Sequence, residues 1–184
     1  MLPEAVRKKS GAAGHIGFGN VIKTLLRFET RWWADQRSKL GDLTFLLSDE
    51  QIPVRWTQFP EEQPVFTGWL GGPKTEALAH LREDQLIEAG VASLANIFKL
   101  PPEQLKRDLV AARAINWKND PFARGAYSYA TVETRQAQGL LANPCGRILI
   151  SGEALYGGRD MRTVEAALAV GLETARTIVF GMPT

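Results

Sequence analysis

The chain has 184 residues and a formal net charge of +2, with 45% hydrophobic and 23% charged residues, the make-up of an ordinary globular domain with no electrostatic pull toward nucleic acid or membrane. The lone cysteine, Cys145, excludes an intrachain disulfide and a thiolate cluster, and two distant histidines, His15 and His80, support neither a His-rich metal site nor a Ser–His arrangement. No apolar run approaches membrane-spanning length and the N-terminus lacks a signal-peptide core, so the expected setting is the cytoplasm.

Residues 1–19 are basic and then Gly-rich, and Arg7-Lys8-Lys9 reads as a solvated, mobile end. Gly14, Gly17 and Gly19 run in the reverse order of a dinucleotide-binding fingerprint and precede the first strong strand, so no phosphate loop is expected there. Val21–Phe28 alternates as a strand, with Ile22, Thr24, Leu26 and Phe28 on one face and Val21, Lys23, Leu25 and Arg27 on the other. A lysine between apolar face-mates is ordinarily a snorkelling side chain at a sheet surface. Trp32-Trp33 fall in a polar turn region, and Thr44–Leu47, Val54–Gln58 and Val65–Leu70 read as further strands, the last halted by Gly71-Gly72-Pro73.

Helical signals come next. Ala77–Leu81 predicts a short helix, and Asp84–Phe98 a longer one with a stripe of Ile87, Val91, Leu94, Ala95 and Phe98 and Asp84 as N-cap. Pro101-Pro102-Glu103 opens a third helix, carrying Leu105 and Leu109, and Ala114–Trp117 returns to strand. Residues 119–129 form an aromatic-rich irregular stretch of the kind that lines pockets. Ile148–Ile150 reads as a strand buried on both faces, ended by Ser151-Gly152. After a loop holding Gly157 and Gly158, apolar residues at Val164, Ala167, Leu168, Gly171, Leu172, Ala175 and Val179 predict a helix from Thr163 to Phe180, packed along that stripe. Sheet followed by helices argues an α+β class with an antiparallel or mixed sheet. Gly152-Glu153 and the helix start near Thr163 gather backbone donors and one carboxylate, and Glu153 could accept hydrogen bonds from ligand hydroxyls.

Several separated pieces then agree. Gly19-Asn-Val-Ile-Lys23, with Phe28 and Trp33 after it, resembles the strand of flavin-containing amine oxidases that carries an active-site lysine. Phe66-Thr-Gly-Trp-Leu-Gly-Gly-Pro73 resembles bacterial members of that family. Trp117, Asp120-Pro121-Phe122 and Gly125-Ala-Tyr-Ser-Tyr129 look like the stretch passing flavin and substrate. Ile150-Ser-Gly-Glu-Ala154 with Thr163-Val-Glu-Ala-Ala167 looks like the C-terminal FAD-binding motif. The resemblance covers nearly the whole chain in the expected order, but the family's opening dinucleotide-binding segment has no counterpart. It therefore implies the C-terminal portion only: residues 1–145 as part of a substrate-binding domain, and residues 146–184 as the last strand and helix of a Rossmann-like FAD domain.

The resemblance also implies chemical roles for single residues. Lys23 would hold a water near flavin N5, Tyr127 would form an aromatic wall beside the reacting amine, and Trp117 would line the flavin side of the pocket. Gly152, Glu153, Thr163 and Val164 would face the cofactor. Thr163 also stands where some members place the second aromatic wall, so a different or looser substrate is implied. Ala126 stands where some members attach flavin through cysteine, so FAD would be non-covalent. Arg162 replaces a usual glycine. The implied activity is oxidation of an amine or amino acid by FAD, without metal, nucleic acid or membrane, and weak or absent in this chain alone. The alternative is a non-catalytic fragment or interaction module that pairs with a complementary FAD-binding half or with itself.

Overall fold

A computed structural model of the chain describes residues 4–35 and 40–181. In chain order its elements are α1 (Glu4–Ala13), β1 (Gly17–Gly19), β2 (Val21–Phe28), β3 (Phe45–Leu47), β4 (Val54–Trp56), β5 (Val65–Gly71), α2 (Glu83–Phe98), α3 (Pro102–Asp108), β6 (Leu109–Asn116), β7 (Tyr127–Tyr129), α4 (Thr134–Ala142) and α5 (Val164–Phe180). Short 3-10 turns occur at Trp32–Ala34, Gly72–Leu78, Trp117–Asn119 and Glu153–Leu155. Two compact units result: Asn20–Gly125, and Met1–Gly19 together with Ala126–Thr184. The α+β class with an antiparallel sheet is what the sequence led one to expect.

The first unit is a five-stranded sheet of order β3-β4-β5-β2-β6, antiparallel throughout. The alternation of β2 is realised except at its first residue: Ile22, Thr24, Leu26 and Phe28 are fully buried and Lys23, Leu25 and Arg27 are not, whereas Val21, read on the Lys23 face, is buried as well. The buried face packs under α2, where Ile22 meets Leu86 in one cluster and Leu26 and Phe28 meet Val91, Leu94 and Ala95 in another. Trp32 and Trp33, expected in a polar turn, instead join this core. Trp33 is buried with its ring 4.3 Å from that of Phe66, and the Trp32 ring lies 4.8 Å from that of Phe98. Two large rings following Phe28 gain more from burial than a turn gains from polarity.

Boundaries differ from expectation in places. α2 begins at Glu83, its start fixed by the Gln85 side chain accepting from the Arg82 amide at 3.0 Å. Asp84 is not the N-cap; it pairs with Arg82 at 2.8 Å, and that hydrogen bond holds its carboxyl below the usual range. No α-helix forms over residues 77–81: the 3-10 turn ends at Leu78, and a short loop leads from there toward α2. Leu109 opens β6 rather than continuing the third helix.

Between the sheet and α2 lies a fully buried Arg55. Its Nη2 donates to the Gly90 carbonyl at 2.6 Å, whereas Nε, Nη1 and the neighbouring Thr24 hydroxyl have no partner among the described residues. Desolvation pushes its pKa down to about 10, with Glu50 offsetting part of the effect. A base with a folded pKa below its unfolded value opposes folding while protonated, here by about 3 kcal/mol at neutral pH, and the penalty fades as pH rises through about 10. Glycine at 68 makes the room: a Cβ there would lie 2.4 Å from the Thr24 hydroxyl and 3.1 Å from Arg55 Nη1.

In the second unit β1 pairs antiparallel with β7, placing Gly17 opposite Tyr129 and Gly19 opposite Tyr127. The end expected to be mobile is α1, a helix that buries Ala12 against Ala137 and Leu141 of α4. The apolar residues Ala12 and Ile16 supply the packing that a purely basic terminus would lack. No sequence signal had marked α4, whose Gly139 and polar Gln residues weaken the helical pattern. Gln138 ties it to the 3-10 turn by donating to the carbonyls of Ala154 and Tyr156 at 2.9 and 3.0 Å. The strand expected at Ile148–Ile150 is not formed. Only a bridge between Cys145 and Ile148 is present, and a strand needs a ladder partner that no described residue provides. The α5 helix forms where expected, but its apolar stripe is the reverse of packed: Val164, Leu168, Leu172 and Val179 are exposed, and Ala166 is the residue buried.

Gly68→Ala is expected to destabilise the chain by about 2–3 kcal/mol in urea unfolding, because the buried side chains of Thr24, Ile52 and Arg55 must all shift. Arg55→Met removes the desolvated cation and leaves the Gly90 carbonyl bonded within α2, so it should leave stability unchanged or raise it by about 1–3 kcal/mol.

Candidate functional site

The face of the sheet opposite α2 follows from register. Lys23 lies between Trp69 on β5 and Ile115 on β6, and one step along come Trp56, Thr67, Leu25 and Arg113. A cation thus stands at the centre of an otherwise largely apolar, aromatic surface. Its Nζ reaches to 5.5 Å from the centroid of the Trp56 ring. That contact is worth roughly 0.5–2 kcal/mol and holds the ammonium against the sheet rather than free in water. Trp56 was not singled out from the sequence, although its spacing from Val54 put it on one face of β4.

Trp117 opens the 3-10 turn after β6 and is half-buried. Its position is set by two asparagines: Asn20 Nδ2 donates to Asn116 Oδ1 at 3.1 Å, and the Lys118 amide donates to Asn20 Oδ1 at 2.9 Å. These bonds fasten the start of β2 to the end of β6.

The other residues nominated from sequence lie in the second unit. Tyr127 is half-buried on β7 beside Ser128. Glu153 is engaged internally: Oε1 accepts from the Ser128 amide at 2.9 Å, and Oε2 from the Ser128 hydroxyl at 2.7 Å and the Arg162 amide at 3.0 Å. One carboxylate therefore joins β7 to the loop that starts α5. Gly152 has φ +146, a conformation side-chain-bearing residues rarely adopt. It also borders a cavity of about 340 Å3 lined by apolar groups including Ile16, Phe18, Ile150 and Leu155. Arg162 has φ +81, so a residue with a Cβ occupies a conformation that favours glycine. Thr163 is the N-cap of α5; its hydroxyl accepts from the Ala166 amide at 3.1 Å and donates to the Asp160 carbonyl at 2.9 Å. Val164, 70% exposed, is the first helical residue.

The structure thus gathers Tyr127, Gly152, Glu153, Thr163 and Val164 in one unit and keeps Lys23 and Trp117 in the other. Among the described residues no group of three or more His, Cys, Asp or Glu side chains could hold a metal ion, and no helix is long and apolar enough to cross a membrane.

One unit with a lysine on the open aromatic face of its sheet, and another with a glycine–glutamate turn leading to a capped helix, define a class that comparison makes definite. The flavin containing amine oxidoreductase family model matches residues 2–179, and the chain belongs to that family. Histone demethylase-like protein A of Aspergillus fumigatus is 26% identical over 93% of this chain and 17% of its own length. Protein anon-37Cs of Drosophila simulans is 26% identical over 91% of this chain and 36% of its own. The peroxisomal N(1)-acetyl-spermine/spermidine oxidase of Bos taurus is also 26% identical, over 83% of this chain and 32% of its own. A solved structure of a putrescine oxidase double mutant, made in a redesign of cofactor binding, superposes with a TM-score of 0.75 at 19% identity, covering 98% of this chain and 38% of that one. The fold is shared; the chain spans well under half the length of these relatives.

Whether the residues present suit a flavin can be tested on their donors. Of the first-turn amides of α5, that of Ala166 is capped by Thr163, while those of Val164 and Glu165 have no intrahelical acceptor by geometry, and a helix N-terminus attracts negative charge, which suits a flavin's electron-rich pyrimidine edge. Gly152 allows close approach beside it. The cavity at Gly152 is smaller than a whole dinucleotide, and no described loop forms a diphosphate cradle. The fit is to one end of the cofactor.

Two substitutions probe this loop. Arg162→Gly should raise stability by about 0.5–1 kcal/mol by relieving the positive φ. Glu153→Ala should lower it by about 2–3 kcal/mol, since three donors lose a charged acceptor at once. Thermal and urea unfolding measure both.

Proposed function

We propose that this chain is the substrate-facing and C-terminal flavin-facing part of an FAD-dependent amine oxidoreductase. Residues 1–145 correspond to part of its substrate-binding domain, and residues 146–184 to the closing segment of its FAD-binding domain. The observation that carries the reading is Lys23, held by Trp56 on the open face of the sheet. A flavin held by Gly152, Thr163 and Val164 would supply a hydride acceptor for the carbon bearing the amine nitrogen. Membership of the flavin amine oxidoreductase family supports this chemistry.

In this reading the Lys23 ammonium donates a hydrogen bond to a water and serves the reoxidation of flavin by oxygen. Trp56, Trp69 and Leu25 around it supply a dry, apolar surface that strengthens the bond. Tyr127 offers a ring wall to the amine, and Trp117 shapes the flavin side. Thr163 and Val164 present the helix N-terminus to charge that develops on the cofactor. Glu153 acts by position, fixing Arg162 and Thr163 through its accepted bonds. Ala126 leaves no thiol for attachment, so the flavin is non-covalent and denaturation should release it completely. The proposed setting is the cytoplasm.

A second reading is favoured by the exposed apolar stripe of α5 and by the fraction of each relative that is matched. Here the chain is an interaction module without turnover of its own, completed by a separate FAD-binding half.

The test is made on the chain assembled with a flavin-binding portion of the same family. Lys23→Met should slow reoxidation of the reduced flavin about tenfold, equivalent to about 1.4 kcal/mol of barrier, and leave flavin reduction by amine nearly unchanged. Tyr127→Phe should alter the reductive half-reaction instead. Stopped-flow absorbance resolves the two half-reactions. Reoxidation untouched in Lys23→Met would make the lysine a sheet-surface residue.

A further inference from the structure

Three neighbouring strands place Thr24, Gly68 and Arg55 in one row across the sheet, with Gly68 paired to Thr24 on β2 and to Arg55 on β4. Thr24 is the one polar residue on the buried face of β2, and Arg55 beside it is fully buried. The middle of the row has no side chain. Above it, on α2, stands a second glycine: a Cβ at Gly90 would lie 3.4 Å from the Thr24 hydroxyl. Glycine weakens the interior of a strand or a helix, yet both elements carry one at the same point of contact. What the two glycines accommodate is polar. Thr24 Oγ1 and Arg55 Nη1 both lean over Gly68, and neither has a partner among the described residues.

We propose that this spot is a buried water site, with one water oxygen bridging Arg55 Nη1 and Thr24 Oγ1 between the sheet and α2. Both atoms lie no more than 3.1 Å from the point that a Cβ at residue 68 would occupy, so a single oxygen reaches both at hydrogen-bond length. Nη1 can only donate, whereas a threonine hydroxyl donates or accepts, so water is a match for the pair. Two polar partners are the fewest that hold a buried water. A halide ion would meet the same donors, and two observations favour water over it. The Glu50 carboxylate already offsets part of the Arg55 charge and would repel an anion. The Ile52 Cγ2 methyl lies 2.8 Å from the same point, which suits the smaller of the two. The Nε–H shares its edge of the guanidinium with Nη2, which bonds the Gly90 carbonyl, and lies outside the bridge. The site ties β2 to β4 beneath α2 and does not rest on the catalytic reading.

Urea unfolding of the whole chain tests the bridge, and direct detection tests its occupant. Thr24→Val keeps the shape and removes the hydroxyl, and should lower the folding equilibrium constant about tenfold in the parent, where Nη1 loses its relay. In the Arg55→Met background the same change should leave the constant unchanged or raise it, because the hydroxyl there has no cation to serve. An equal loss in both backgrounds overturns the bridge. A crystal structure of the parent chain should show one oxygen within about 3.2 Å of both atoms. In solution, water-selective NMR should show a cross-peak between the Thr24 γ-methyl and water with the sign of a long-lived contact. Should either variant fail to fold, these two measurements on the parent decide alone, and absence of both signals overturns the site. A direct Thr24–Arg55 hydrogen bond overturns the water, and so does an anomalous bromide peak at this spot in crystals grown from bromide.

Discussion

The sheet depends on β2 having a neighbour on each side. Paired to β5 and β6 over almost its full length, it must satisfy its backbone laterally, which leaves its side chains no choice but to alternate between two faces. One face holds Ile22, Thr24, Leu26 and Phe28, and burying the three large apolar groups contributes roughly 1.5–3 kcal/mol each. A one-residue slip would drive Lys23 and Arg27 into that core, so the register is strongly enforced. Lys23 is therefore placed on the open face by what its neighbours require, before any function is invoked. The same constraint aligns Trp69, Leu25 and Ile115 around it, and Trp56 completes the ring by reaching its ammonium.

The second unit is organised by a carboxylate instead of a strand. Glu153 binds the backbone and hydroxyl of Ser128 and the amide of Arg162, so β7, the 3-10 turn and the start of α5 share one anion. That concentration of bonds explains how the loop tolerates Gly152 at φ +146 and Arg162 at φ +81. Backbone strain of this kind persists where surrounding bonds over-determine it. The arrangement also accounts for Glu153 differently from the sequence reading, which had it free for ligand hydroxyls.

Strong periodicity was legible and tertiary context was not. β2 and α2 have patterns long enough to specify both type and buried face, and both formed within a residue of expectation. The α5 periodicity specified a helix and an apolar stripe, but a stripe records only that something should cover it, not whether that partner lies in the same chain. Ile148–Ile150 failed for a related reason: an apolar run predicts a buried strand only where a ladder exists to receive it. α1 and α4 were missed because each offers a few small apolar residues, Ala12, Ala137 and Leu141, whose value appears only on mutual packing. Trp33 was misplaced because polar neighbours outweighed its ring in a local reading.

These misses share a direction. In the sheet unit the core is closed: helix α2, the aromatic cluster and Arg55 fill the space behind the strands. In the other unit, apolar surface is prepared and left uncovered along α5, and the Ile148–Ile150 run finds no ladder. Water does not leave that much aliphatic surface alone at no cost; at roughly 25 cal/mol per Å2 its burial amounts to many kcal/mol before the cost of association. The relatives described above are from under three to about six times the length matched here, and the rest of such a chain can cover a surface of this kind. Glu153 is committed to the opposite end of α5 from Phe180 and holds the helix start whichever partner takes the stripe.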